Sequence, residues 1–253
     1  MATIKLLILL IFSVMHPAQA HEFLAEDWAK AKSLPTNAIT NGPFLAKHLA
    51  DKWPSYEYPW FIFSQVEQET CISLKHSKCW SEKAELKTSR ELGFGLGQLT
   101  IAYDKAGKER FNAFAEVKRL DAALADWKFE DRFDANKQLL AVVIRDKFEY
   151  SKIAGAANAL EHSAFFFNSY NGGPGGMLQD RRLCKATAGC DPAKWFGNVE
   201  NTSYKSRVAV KGYGKSFFEI SREYPRNIIY VRSPRYKPYF TQEESNGKPT
   251  SQN

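Results

Sequence analysis

Apolar positions recur along this chain with a helical period far more often than an alternating one. From Pro59 to Thr70 the residues Trp60, Ile62, Phe63 and Val66 gather into one broad stripe, which predicts a helix. Glu67 and Glu69 fall at opposite margins of that stripe, so periodicity alone does not choose between them. Helical spacing returns over Phe111–Trp127, over Asn136–Ile153 behind a capping Asp134, over Ala156–Tyr170 and over Lys205–Glu223. Residues 21–32 are amphipathic. Residues 33–42 hold Pro35, Asn37 and Asn41 and read as a loop, with Pro43 opening a helix to Lys52. There is little strand pattern and no internal repeat, which points to a mostly helical single domain.

Two glycine-rich stretches interrupt the helices. Gly93-Phe94-Gly95-Leu96-Gly97-Gln98 reads as a tight turn, and Asn171-Gly172-Gly173-Pro174-Gly175-Gly176 ends the helix before it. At the N-terminus Lys5, the apolar run Leu6–Val14 and Ala18-Gln19-Ala20 have the order of a secretory signal peptide, which places the mature chain in the periplasm or outside the cell. No later apolar run is long enough to span a bilayer, so no transmembrane anchor is expected in the mature chain. The net charge of +7 favours a polyanionic neighbour. For an exported chain without a nucleic-acid motif, that neighbour is cell-wall polymer or anionic lipid rather than nucleic acid.

In an oxidising compartment Cys71, Cys79, Cys184 and Cys190 read as disulfides rather than metal ligands. Three pairings are open. The local one, Cys71 with Cys79 and Cys184 with Cys190, is preferred because it staples the loops beside the two glycine-rich stretches. The histidines show no metal-ligand spacing, and neither a metal nor another cofactor is expected. Trp195 reads as a core residue.

Three separated motifs carry a family resemblance. Glu69-Thr70-Cys71-Ile72 looks like an acidic residue followed by a hydroxyl residue and then an apolar one. Gly93-Phe94-Gly95-Leu96-Gly97-Gln98-Leu99 looks like a turn ending in Gly-Leu-Met-Gln-Ile, with Gly97 for the methionine. Tyr170-Asn171-Gly172-Gly173, after an apolar run, looks like Tyr-Asn-Ala-Gly, with Gly172 for the alanine. In order and approximate spacing, over Pro59 to Gly176, the chain resembles the lysozyme-like transglycosylase superfamily, meaning the soluble lytic transglycosylase catalytic domain and its goose-type lysozyme relatives.

The resemblance implies a lysozyme-like α-helical domain with a glycan-binding cleft over 59–223. An N-terminal helical segment at 21–58 precedes it, and a basic, largely extended or disordered tail at 224–253 follows. It aligns Glu69, not Glu67, with the catalytic acid, so that Glu67→Gln is expected to change little. The implied reaction cleaves the MurNAc-GlcNAc β-1,4 bond of peptidoglycan glycan strands to give 1,6-anhydro-MurNAc ends, with one glutamate acting as acid and then base. No second carboxylate stands out nearby, which suits a substrate-assisted route. Trp60, Phe63 and Phe165–Phe167 are expected to raise the pKa of Glu69 by desolvation. Tyr170 is expected to orient Glu69 or the acetamido group, Gln98 and Asn171 to hold sugar amides and hydroxyls, and the Gly95 and Gly97 backbone to line the cleft. The departures at Gly97 and Gly172 and the basic YVRSPRYKPYF segment leave two alternatives open. One is a muramidase that adds water. The other is a non-catalytic wall-binding or assembly protein that docks a cell-envelope partner through its tail.

Overall fold

Helix α1 (Thr36–Lys52) begins the described part of the computed structural model, which covers residues 34–211 and 214–240. The expected leader at 1–20, the amphipathic stretch at 21–32 and the last thirteen residues lie outside it. Helix α1 runs through the expected loop, with Pro43 inside it. Packing outweighs the proline here: Ala38 and Leu45 are fully buried, and the Asn41 carboxamide donates to the Trp80 carbonyl at 3.0 Å. Helix α2 (Pro59–Thr70) follows with proline at its start, where the missing N–H costs nothing.

Next comes a four-stranded antiparallel sheet in sequential order: β1 (Glu85–Lys87), β2 (Glu91–Phe94), β3 (Leu99–Tyr103) and β4 (Glu109–Asn112). The sparse alternation in the sequence does not predict these strands. The glycine-rich turn is the connection from β2 to β3, whose register pairs Phe94 with Leu99. Helix α3 (Ala113–Leu120) is capped by Asn112 and is shorter than expected, because the chain turns at Asp121 into a 3-10 turn at Ala122–Leu124.

Helix α4 (Ala135–Ser151) is capped by Asp134 as expected and is buried on both flanks. Leu139, Val142 and Val143 join the large core, while Leu140, Ala141 and Ile144 join a smaller one with Phe94, Ile101, Phe114 and Trp127 under the sheet. Helix α5 (Ala159–Gly172) carries Phe165, Phe166 and Phe167 into the large core, and α6 (Pro174–Lys185) restarts at Pro174 after the turn at Gly173. Both local disulfides are present, Cys71–Cys79 and Cys184–Cys190. Trp195 is buried, as expected. Among the described residues no helix is long and apolar enough to cross a membrane.

The expected last helix over 205–223 starts late, because Gly214 takes a φ of 67° and Ser216 caps a new helix with a capping box to Glu219. Helix α7 (Phe217–Arg226) is anchored by Arg222, whose guanidinium pairs with Asp180 at 2.7 Å in the interior. Pro225 cannot donate to the Ser221 carbonyl one turn back. The Asn168 carboxamide of α5 donates to that carbonyl instead, at 3.0 Å.

The chain then continues as a π-helical segment (Asn227–Arg232), helix α8 (Ser233–Tyr236) and a 3-10 turn to Tyr239. This corrects the expected extended or disordered tail for residues 224–240. Ile228, Ile229, Ser233 and Tyr236 recur about every four residues and are all buried, and Pro234 starts a helix rather than breaking one.

Candidate active site

Three supports hold the end of α2 that carries Glu69. The Cys71 N–H caps the helix by donating to the Glu67 carbonyl at 2.9 Å, and its sulfur is bonded to Cys79. Thr70 donates through Oγ1 to the Val66 carbonyl at 2.7 Å, and the same oxygen accepts the Trp80 N–H at 2.9 Å. Trp80 in turn is held by Asn41 of α1. The hydroxyl after the acid is therefore a helix-end clasp.

Glu69 is densely enclosed but keeps some solvent contact. Its carboxylate accepts a short hydrogen bond from the Tyr224 hydroxyl. The Tyr224 ring lies nearly parallel to that of Tyr170, with centroids 6.4 Å apart and planes 13° off, and the Arg145 guanidinium sits 4.5 Å from the Tyr170 centroid. Burial raises the pKa of Glu69 to about 7, against the opposing pull of the Tyr224 hydrogen bond and, more weakly, of Arg145. Burial likewise pushes the Tyr224 hydroxyl well above the ordinary phenol range, so it stays a donor.

One turn back on α2, Gln65 donates to Asp146 of α4 at 3.2 Å. Asp146 is fully buried, and burial raises its pKa well above the carboxylate range. The aromatic groups that act on Glu69 are the phenols of Tyr224 and Tyr170, with Phe166 packed edge-on against Tyr170. Trp60 packs on Tyr58 and Phe61, Phe63 on Trp80 and Tyr236, and Phe165 on Trp195.

Tyr170, Gln98, Gly95 and Gly97 are engaged in the scaffold. Tyr170 donates to the Gly97 carbonyl at 2.6 Å, so the phenol that holds Glu69 is Tyr224 and not Tyr170. Gln98, at a φ of 42°, turns its side-chain amide back to donate to the carbonyls of Gly95 at 2.9 Å and Ala84 at 3.1 Å, and is not free to hold sugar amides through that nitrogen.

Gly95 and Gly97 are buried rather than cleft-lining. Gly95 has a φ of 74°, and a Cβ there would lie 2.4 Å from the Gln138 carboxamide, which accepts the Leu96 N–H at 2.8 Å. A Cβ at Gly97 would lie 2.5 Å from Val142 Cγ2, which explains why a larger residue is missing from that motif position. Asn171 is exposed at the end of α5, next to Gly172, where a Cβ would meet the Lys205 ammonium at 2.6 Å.

Glu67 is fully buried and points away from this group. It accepts from Arg232 at 2.8 Å, Arg235 at 3.1 Å and Tyr236 at 2.6 Å. Its expected indifference to substitution is therefore corrected: it is an internal anchor. Tyr224 was missed because it lies one residue past the expected end of the last helix, in REYPRN, where no motif marks it. No family model matches the chain, and no curated protein gives a significant match.

Proposed function

We propose that the chain is an exported peptidoglycan lytic transglycosylase in which Glu69 is the sole acid and base. The observation that carries this reading is the carboxyl of Glu69, within reach of solvent, held by the Tyr224 phenol and raised to a pKa of about 7. Such a group is protonated often enough near neutral pH to give a proton, and ionised often enough to take one back. The order of the three sequence motifs supports the same choice of substrate, and the two disulfides suit an oxidising compartment.

In the proposed reaction the Glu69 proton passes to the glycosidic oxygen as the bond to C1 of the muramic acid breaks. The sugar's own acetamido oxygen steadies C1. The Glu69 carboxylate then removes the proton from the C6 hydroxyl as O6 bonds to C1, which leaves a 1,6-anhydro end and restores the acid. Tyr224 steadies the anion between the two steps, and Asn171 is available to a sugar hydroxyl.

Mass spectrometry of the soluble products from peptidoglycan tests the reading. Anhydro-muramic ends from the wild-type chain and none from Glu69→Gln are expected. Reducing ends heavier by one water would replace it with a muramidase, and full activity in Glu69→Gln would overturn it.

A further inference from the structure

We infer that Glu67 is a positioning residue, whose ion pairs with Arg232 and Arg235 dock the C-terminal helical run on α2 so that the Tyr224 phenol is delivered to Glu69. The inference deepens the transglycosylase reading and rests on it for its meaning in catalysis.

Glu67 and Glu69 stand two residues apart on α2 and look toward different sides of it. Tyr224, Arg232, Arg235 and Tyr236 all lie on one nearly continuous helical run from Phe217 to Tyr239. That run is therefore tied to α2 at two points, by the Tyr224 bond to Glu69 and by the three donors on Glu67. Arg232 adds a third tie through Gln68, at 2.8 Å. The second point sets a register. Sliding the run by one turn, about 5.4 Å, would leave a fully buried carboxylate without its donors, a state the fold cannot hold cheaply. The anchors of α7 on Asp180 and Asn168 fix it to α6 and α5. Against α2, Tyr236 and Phe240 also pack on Phe63, and the Glu67 ion pairs add a directional register to that apolar contact.

The two acids also face different charges. Around Glu69 are Tyr224 from α7, Tyr170 from α5, and Arg145 and Asp146 from α4. Around Glu67 are Arg232, Arg235 and Tyr236, with Trp80 behind the Tyr236 hydroxyl at 2.9 Å. This separates a positioning role from direct electrostatics by sign. Deleting the Glu67 charge alone would make Glu69 easier to ionise, whereas losing the Tyr224 donor makes it harder.

The test is a carbon-13 NMR titration of the Glu69 carboxyl in the full chain, for wild type, Glu67→Gln, Tyr224→Phe and the double variant, with anhydro-product release followed across the same pH range. Both single variants are expected to move the Glu69 midpoint upward by about one pH unit, the double variant no further than Tyr224→Phe alone, and the alkaline limb of activity by the same amount. A midpoint that is unmoved or lowered in Glu67→Gln, or unmoved in Tyr224→Phe, overturns the inference. If Glu67→Gln does not fold, Tyr236→Phe removes one donor without changing charge, and an unmoved midpoint there overturns it equally. A wild-type chain that releases no product would defeat the transglycosylase reading alone, because the titration still reports whether Glu67 governs Glu69.

Discussion

An acid kept protonated at neutral pH costs the fold stability, and Glu69 allows that cost to be measured without any substrate. The unfolded chain ionises this carboxyl near its ordinary value of 4.5, whereas the folded chain holds the proton up to about 7. Over that interval the folded state binds more protons than the unfolded one, so stability falls as pH rises and the loss is complete above the folded pKa. Between pH of about 5 and about 8 these two values set an upper bound of roughly 2.5 kcal/mol. The solvent contact of Glu69 screens part of this, and about 2 kcal/mol is expected.

Glu69→Gln keeps an acceptor for Tyr224 and removes the titration. Urea unfolding of both proteins, followed by tryptophan fluorescence at the two pH values, gives the comparison. The variant should gain about 2 kcal/mol on the wild type from the lower pH to the higher, while groups that titrate alike in both chains cancel. A difference that stays constant to within about 0.5 kcal/mol, or one that grows toward low pH, would refute the reasoning.

Two further outcomes follow from the packing around the site. Gly97→Ala forces a Cβ against Val142 and should cost about 1 to 3 kcal/mol, part of which Val142→Ala in the same chain should recover. Strictly additive costs in that unfolding cycle would show that the close approach is not the cause. Replacing Cys71 and Cys79 together by alanine should cost about 2 to 3 kcal/mol and loosen the end of α2. Hydrogen exchange at the Cys71 amide, which caps the helix, should quicken, and an unchanged rate would show that Thr70 suffices.

Much of the helical frame is legible in the residues themselves. Asp134 marks the start of α4, Asn171-Gly172 marks the end of α5, and the local cysteine pairing preferred among the three open ones is the pairing present. The sheet was also visible in principle, since Leu92 and Phe94, then Leu99 and Ile101, alternate with polar or small residues. Its strands of three to five residues are too short for that signal to stand above the glycines between them.

The candidate site was half legible. Motif order singles out Glu69 as the candidate, but the bonds of Tyr170 and Gln98 and the close contacts of the two glycines depend on which groups meet across the fold. Tyr224 meets Glu69 from 155 residues away and Tyr236 meets Glu67 from 169, and no local pattern encodes such pairings. The basic segment misled for a related reason. Arg232 and Arg235 look like solvent-facing charges until Glu67 is known to be buried opposite them.

The long span between Glu69 and Tyr224 also orders events in time. A chain made from its N-terminus has α1 to α5 and the sheet before the residues of α7 exist. Any intermediate that stops short of Phe217 carries the glutamate but lacks the phenol that steadies its anion. The chemistry proposed for Glu69 thus waits for the last-made part of the described chain to fold back, and an incomplete chain cannot possess it.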